Sequence, residues 1–294
     1  MTRIAVIGLA KSGTTGLWSR LVNTYPRKYL RFFEGDFLQT RYNKYLGLQK
    51  PSKNATNIID KQIIGPDFRI ETLNDFDKVI WLVRDPRDRL VSYILYRHFD
   101  HRYQDDQFVL DQIQMLEEKE ANPESVSLKM LESRLALPPP SLDSGFFWED
   151  HKKWAVLESS IAKGIACVFK YEDFVEERFE ILETFLNVRI GKNKKIPKQF
   201  ERVIRSRSSG FWQDWFTEED LKYYGDLFDP FLKQYGYGTV ITQRESKQIN
   251  PAHGSQYVKK IVNERRQREG LRIIYIHFFT SPACDAHPNQ TTFA

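Results

Sequence analysis

The chain has 294 residues, 41% of them apolar and 14% aromatic, enough to build the core of one large domain or two. Its 44 Lys and Arg against 39 Asp and Glu leave a net charge of +5, an excess that suits an anionic small ligand and does not require nucleic acid. Two cysteines, Cys167 and Cys284, make no disulfide framework, no apolar run reaches the roughly 18 residues of a membrane span, and the first predicted strand begins near residue 3, so a soluble cytoplasmic protein in a reducing compartment is expected.

Ile4-Ala5-Val6-Ile7 reads as a buried strand of a parallel sheet. Gly8 to Thr15 is a turn of small residues with one lysine, and Leu17, Trp18 and Leu21 then recur at helical spacing. A strand, a Gly/Ser/Thr loop and a helix N-terminus make an anion cradle, because the unsatisfied N–H groups and the dipole of the first turn face the loop. Lys11 adds a positive charge; Ser12, Thr14 and Thr15 add hydroxyl donors. Gly8 and Gly13 have the spacing of a Walker A loop, but Thr14 stands where that motif has its lysine.

Between Tyr29 and Phe37 the carboxylates Glu34 and Asp36 lie among phenylalanines. They read either as the edge of a cleft, where a desolvated carboxylate becomes a general base, or as a solvated loop in which Glu34 pairs with Arg31. Asn57 to Lys61 is a second strand ending in a lysine, and Lys78 to Val83 a third that runs into Arg84-Asp85-Pro86. Pro86 fits a first helical turn, and Leu90, Ile94 and Leu95 continue an apolar stripe. Arg84 therefore sits at the carboxyl end of a strand, where open parallel sheets bind ligands, with Ser92 two helical turns on. The alternative for Arg84 is an ion pair with Asp85 or Asp88, and for Ser92 a plain helix hydroxyl.

Helices are predicted over about 107–119, 124–137 and 147–163, interrupted by Pro138-Pro139-Pro140. The insertion at about 100–145 is either a lid or a passive cap. Ile165 to Phe169 is a fourth strand, leading into Lys170-Tyr171-Glu172-Asp173. Thr217 is a natural N-cap for a helix that runs to about Tyr235 and stops at Gly236. Beyond 241 a basic helix is expected around Lys259 to Arg268, a strand or short helix at Ile273 to Ile276, and disorder from Pro282 onward. No His/Cys/Asp cluster has metal-ligand spacing, so no metal is expected. The elements add up to an α/β fold with a P-loop-type parallel sheet flanked by helices on both faces.

Three segments carry a resemblance to the sulfotransferases that use 3′-phosphoadenosine 5′-phosphosulfate (PAPS). Lys11-Ser12-Gly13-Thr14-Thr15 resembles their 5′-phosphosulfate loop, K-[ST]-G-T-T, whose lysine contacts the transferring sulfonate and its bridging oxygen. Arg84-Asp85-Pro86 with Ser92 and Tyr93 resembles their 3′-phosphate segment, which assigns Arg84 and Ser92 to that phosphate. Tyr171-Glu172-Asp173 resembles a Y-E-D segment whose tyrosine lies near the adenine, although Tyr171 reads equally as a structural tyrosine. Arg205 to Thr217 is similar to the R-K-G-x-x-G-x-W-x-x-x-F-T loop that closes over the nucleotide; Arg205, Gly210, Trp212, Phe216 and Thr217 match. Ser206 and Arg207 depart from it, and the Arg207 guanidinium is expected to replace the contact a glycine backbone would make.

The resemblance covers residues 1–240, taken as the sulfotransferase domain, with 241–294 a C-terminal extension. It implies PAPS as donor and a hydroxyl or amine acceptor, with Lys11 as the cation at the bridging oxygen and Lys61 reaching the sulfonate from the other side. The small-molecule branch places a histidine base two residues after the second-strand lysine, where this chain has Ile63. The heparan-type branch uses a glutamate between the first helix and the second strand. Glu34 is therefore the expected base, with Asp36 and His98 behind it, and a carbohydrate or polar metabolite is the expected acceptor. A nucleotide kinase or NTPase, with Asp60 as a strand-end magnesium ligand, and a non-catalytic binder of nucleotide or sulfated polymer are the alternatives.

Overall fold

The computed structural model describes residues 2–34, 57–65, 68, 70–100, 106–135, 151–238 and 246–274. Five strands form one parallel sheet: β1 (Thr2–Leu9), β2 (Leu30–Arg31), β3 (Asn57–Ile64), β4 (Lys78–Val83) and β5 (Ala166–Lys170), in the order β2-β3-β1-β4-β5. The chain leaves β1 for one side of the sheet and returns at β4 on the other. A crevice therefore opens at the carboxyl ends of the central strands, where helices on opposite faces diverge.

The two-residue period of a strand sorts the side chains into two cores. Ile4 and Val6 of β1, Ile59 of β3 and Ile80 and Leu82 of β4 meet Leu17, Trp18 and Leu21 of α1 (Thr14–Thr24) on one face. Ala5, Ile7, Ile58, Val79 and Trp81 join the larger core on the other face. That core includes Leu90 and Ile94 of α2 (Pro86–Arg97), Ile113 and Leu116 of α3 (Asp106–Ala121) and Leu131 of α4 (Leu128–Arg134). Burial on both faces explains why β1 and β4 read as unbroken apolar runs.

All four predicted strands form, and Leu30–Arg31 adds a fifth where only a loop was expected. Two residues carry no readable alternation; pairing with Ile58 and Ile59 makes that strand. The helix expected over 124–137 is shorter, because Asn122-Pro123 turns the chain and Ser127 caps the helix at Leu128, its side chain accepting from Met130 N. The next predicted helix is α5 (His151–Ala162); residues 147–150 and the triproline lie outside the described residues. After β5 come α6 (Tyr171–Val175) and α7 (Glu180–Leu186), then a 3-10 turn at Lys198–Val203, α8 (Trp212–Trp215) and α9 (Glu218–Gln234). Thr217 caps α9 as expected, in a reciprocal box with Asp220.

The basic helix is α10 (Ser255–Arg268). Its Tyr257, Val258, Ile261 and Val262 are buried in the larger core, and Lys259, Arg266 and Arg268 pair with Glu117, Asp106 and Glu264. Residues 271–274 adopt no regular structure, and 275–294, with Cys284, lie outside the described residues.

Candidate active site

The crevice holds a cavity of about 470 Å³. Its floor is the loop between β1 and α1. Gly13 ends that loop with φ 92° as the N-cap of α1, and the face of Tyr171 lies so close that a Cβ there would strike the ring. Only glycine fits both constraints. No acid occupies the first turn of α1, so its amides and dipole are left for an anion. Two arginines from the neighbouring strand end and helix brace the loop: Arg84 Nη1 donates to the Lys11 carbonyl (3.0 Å) and Arg89 Nη1 to the Ala10 carbonyl (3.3 Å).

Lys11 adopts φ 67° and lays its Nζ 3.7 Å from the centroid of Tyr96, with no hydrogen-bond partner. Burial holds this amine well below the ordinary lysine range, and the charges of Arg84, Arg205 and Lys61 push it further the same way; Glu34 opposes them. A shielded amine pushed down by three cations marks a site short of negative charge. Ser92 lines the same cavity, as do Thr14 and Thr15, while Ser12 is buried and does not.

Arg84 forms neither expected ion pair. Asp85 caps α2 and grips Arg87, and the buried Asp88 accepts from Gly210 N (2.7 Å) and Trp212 N (2.9 Å). Arg84 instead stacks on Tyr171, 4.1 Å from the ring centroid, and its Nε has no partner. Glu172 supports this corner: one oxygen accepts from Asp85 N (3.1 Å) and the other from the Tyr237 hydroxyl (2.8 Å).

The opposite rim carries the carboxylate. The backbone of 32–34 pairs with Lys61 as a continuation of the sheet, and the Glu34 carboxylate meets the Lys61 ammonium. The alternative Arg31 partner is not used; Arg31 donates to the Val22 carbonyl. Lys61 is 1% exposed and sits over Phe33, whereas Glu34 is 39% exposed, so the expected desolvated carboxylate is instead a rim carboxylate with a buried cation beneath it. Lys61 and Ile63 alternate onto the cavity side of β3. Asp60 points to the other face, is fully buried and accepts from Gln62; β3 continues to Ile64, so Asp60 is no strand-end metal ligand. His98 is also removed from the site: its Nδ1 meets the Ile94 and Leu95 carbonyls in the last turn of α2. Asp36 lies outside the described residues.

The roof is the stretch from Phe200 to Arg207. Phe200, Arg202, Arg205, Ser206 and Arg207 line the cavity, and Arg205 stacks on Phe211 at 3.9 Å. Gly210 is turned to Asp88, with φ 77°. Sequence reasoning missed Tyr96, Phe200 and Arg202. Tyr96 follows Ser92 by one helical turn, a signal for a shared face; nothing local marks Phe200 or Arg202. Among the described residues no three His, Cys, Asp or Glu could hold a metal ion, and no helix is long and apolar enough to cross a membrane.

The molecule thus has a P-loop-type α/β fold, a parallel sheet flanked by helices, with a basic cavity at the topological switch. That fold is the one seen in sulfotransferases. The mouse sulfotransferase SULT7A1 complexed with PAP is similar with a TM-score of 0.50 at 13% identity, covering 79% of this chain and 85% of that one. Two structures of retinol dehydratase with PAP, one with androsterone and one with retinol, give TM-scores of 0.47 and 0.45 at 15% and 16% identity, over 79% of this chain and 80% and 81% of theirs. At such identities the likeness concerns the fold alone. No protein-family model and no curated protein sequence matches the chain.

Proposed function

We propose that the protein is a PAPS-dependent sulfotransferase that moves a sulfonate to a hydroxyl or amine acceptor. One observation carries the reading: Lys11, Lys61, Arg84 and Arg205 converge on one cavity at a glycine-containing loop, and the Lys11 Nζ has no hydrogen-bond partner. An anionic donor would supply the missing charge. Lys11 would then neutralise the bridging oxygen as its bond to sulfur breaks, while the loop amides, Thr14 and Thr15 hold the phosphosulfate. Arg84 and Ser92 would take the 3′-phosphate, with Arg205 and Arg207 closing from above and Tyr171 beside the base. The acceptor oxygen or nitrogen forms its bond to sulfur in line with the leaving phosphate, and its proton passes to Glu34. SULT7A1 and retinol dehydratase, both solved with PAP, make the donor class a consistent choice.

Glu34 in place of a histidine supports a carbohydrate or other polar acceptor. The cavity wall supports a different body: beside Glu34 and Lys61 it adds the apolar area of Phe33, Ile63 and Phe200. We favour an acceptor with a polar reactive end and an apolar body. The kinase reading, which already had Thr14 against it, loses Asp60 as well, since that residue lies inside β3 and not at its end.

The test is calorimetric titration with adenosine 3′,5′-bisphosphate of wild type and Arg84→Ala. Binding in the micromolar range that weakens by about thirtyfold or more in the variant is expected, since a desolvated charge contact is lost. No binding, or binding of ATP with magnesium instead, overturns the reading. Labelled PAPS offered with monosaccharides and with aryl or alkyl alcohols then sorts the acceptor.

A further inference from the structure

The segment after residue 246 lies outside every stretch that resembles a sulfotransferase, yet it touches the cavity's roof. The Arg205 guanidinium donates from Nη1 to the His253 carbonyl (2.9 Å), and the His253 ring meets the Arg205 carbonyl through Nδ1 (3.0 Å). That carbonyl has only a donor for a partner here, so the ring carries its proton on Nδ1. One turn on, the Tyr257 hydroxyl donates to the Arg202 carbonyl (3.1 Å). Arg202 and Arg205 both line the cavity, so three hydrogen bonds bind the cationic roof to this distant segment. With Nη1 committed and its plane stacked on Phe211, Arg205 keeps Nε and Nη2 shielded and without a protein partner.

The segment is itself anchored. The Asn250 side chain accepts from Ala252 N and starts a 3-10 turn over Pro251–His253. Both the backbone N–H and the hydroxyl of Ser255 donate to the Glu120 carboxylate on α3, and Gly254 lies so close to that carboxylate that a Cβ would collide with it. The contacts run from α3 through Glu120, Ser255 and His253 to Arg205.

We propose that His253 is a positioning residue for Arg205: its ring fixes the Arg205 backbone where the His253 carbonyl can take Nη1, which leaves Nε and Nη2 for the anion of the bound nucleotide. The inference rests on the donor site proposed above, and two readouts separate the two readings. In ligand-free protein, His253→Leu removes the ring donor, and hydrogen exchange of amides 204–212 should speed up, while His253→Asn, which keeps an N–H at the same reach, should stay near wild type. In titrations with adenosine 3′,5′-bisphosphate, His253→Leu should weaken binding roughly three- to tenfold, as for one lost hydrogen bond, and His253→Asn should recover most of it. In an Arg205→Met background His253→Leu should add nothing, since coupled residues are not additive.

Unchanged exchange in His253→Leu, or a loss of affinity that adds in full to that of Arg205→Met, overturns the inference. A wild type that binds no bisphosphate overturns the donor site instead and leaves the exchange result to decide the clamp. Should His253→Leu fail to fold, His253→Phe, which keeps an aromatic ring and loses its N–H, takes its place with the same expected and overturning outcomes.

Discussion

The floor and the roof of the cavity are built in different ways. The floor is Lys11 to Thr15 with Arg84 and Ser92, carried at the ends of β1 and β4 and the starts of α1 and α2. Each element there starts from a local signal, an apolar strand, a glycine at positive φ or a proline in the first turn, and Arg84, Arg89 and Tyr171 then brace the loop. The roof, 200–207, with the turn that leads on to Trp212, holds the end of one 3-10 turn and no strand. It is held by Asp88 through Gly210 and Trp212, and by His253 and Tyr257, partners 48 to 124 residues away. The floor is therefore a rigid anion site, while the roof's position depends on a few polar latches.

That contrast makes floor variants the more damaging. Lys11→Ala should lower turnover with PAPS by about 100- to 1,000-fold, with a smaller effect on bisphosphate affinity, because its charge matters most as the bond breaks. A turnover within a few-fold of wild type would remove Lys11 from the chemistry. Gly13→Ala should cost about 2–4 kcal/mol of folding stability, read from denaturant midpoints, since the new methyl meets Tyr171 at a backbone conformation that alanine resists. A loss under about 0.5 kcal/mol would mean that the loop and Tyr171 separate easily, and the floor would be no more rigid than the roof.

The roof latch should show a gentler, pH-dependent signature. Burial pushes the Asp88 carboxyl up to about 6, against the pull of Arg84 and the two amides it accepts from. Its folded value lies above its unfolded one, so the folded state holds the extra proton between about pH 4 and 6. Wild-type stability should accordingly fall, relative to Asp88→Asn, as pH rises through that window, by about 1–3 kcal/mol. Chemical denaturation of both proteins at pH 4 and pH 7 measures it; a difference that is flat or of opposite sign would show an unstrained carboxylate and a latch that costs nothing to close.

Much of the floor was legible because its signals are local. The Ile4–Thr15 pattern already implied strand, turn and helix start, and Arg84 at a strand end implied its place in the crevice. Glu34 was legible as a rim residue but not as Lys61's partner: the pairing arises only when 32–34 runs beside β3, 27 residues away in the chain. Asp60 was misjudged because the strand runs three residues past Lys61, and strand alternation then sends Asp60 to the opposite face.

The order of elements and the charge of the loop followed from the sequence alone, because hydrophobic periodicity, turn residues and helix starts act over a few residues. Only the tertiary structure decided which cations share a cavity, that Asp88 serves the roof rather than Arg84, and that a segment beyond residue 246 grips Arg205. Those are hydrogen bonds between groups far apart in the chain, and their partners meet only after the sheet and its two cores have brought distant helices together.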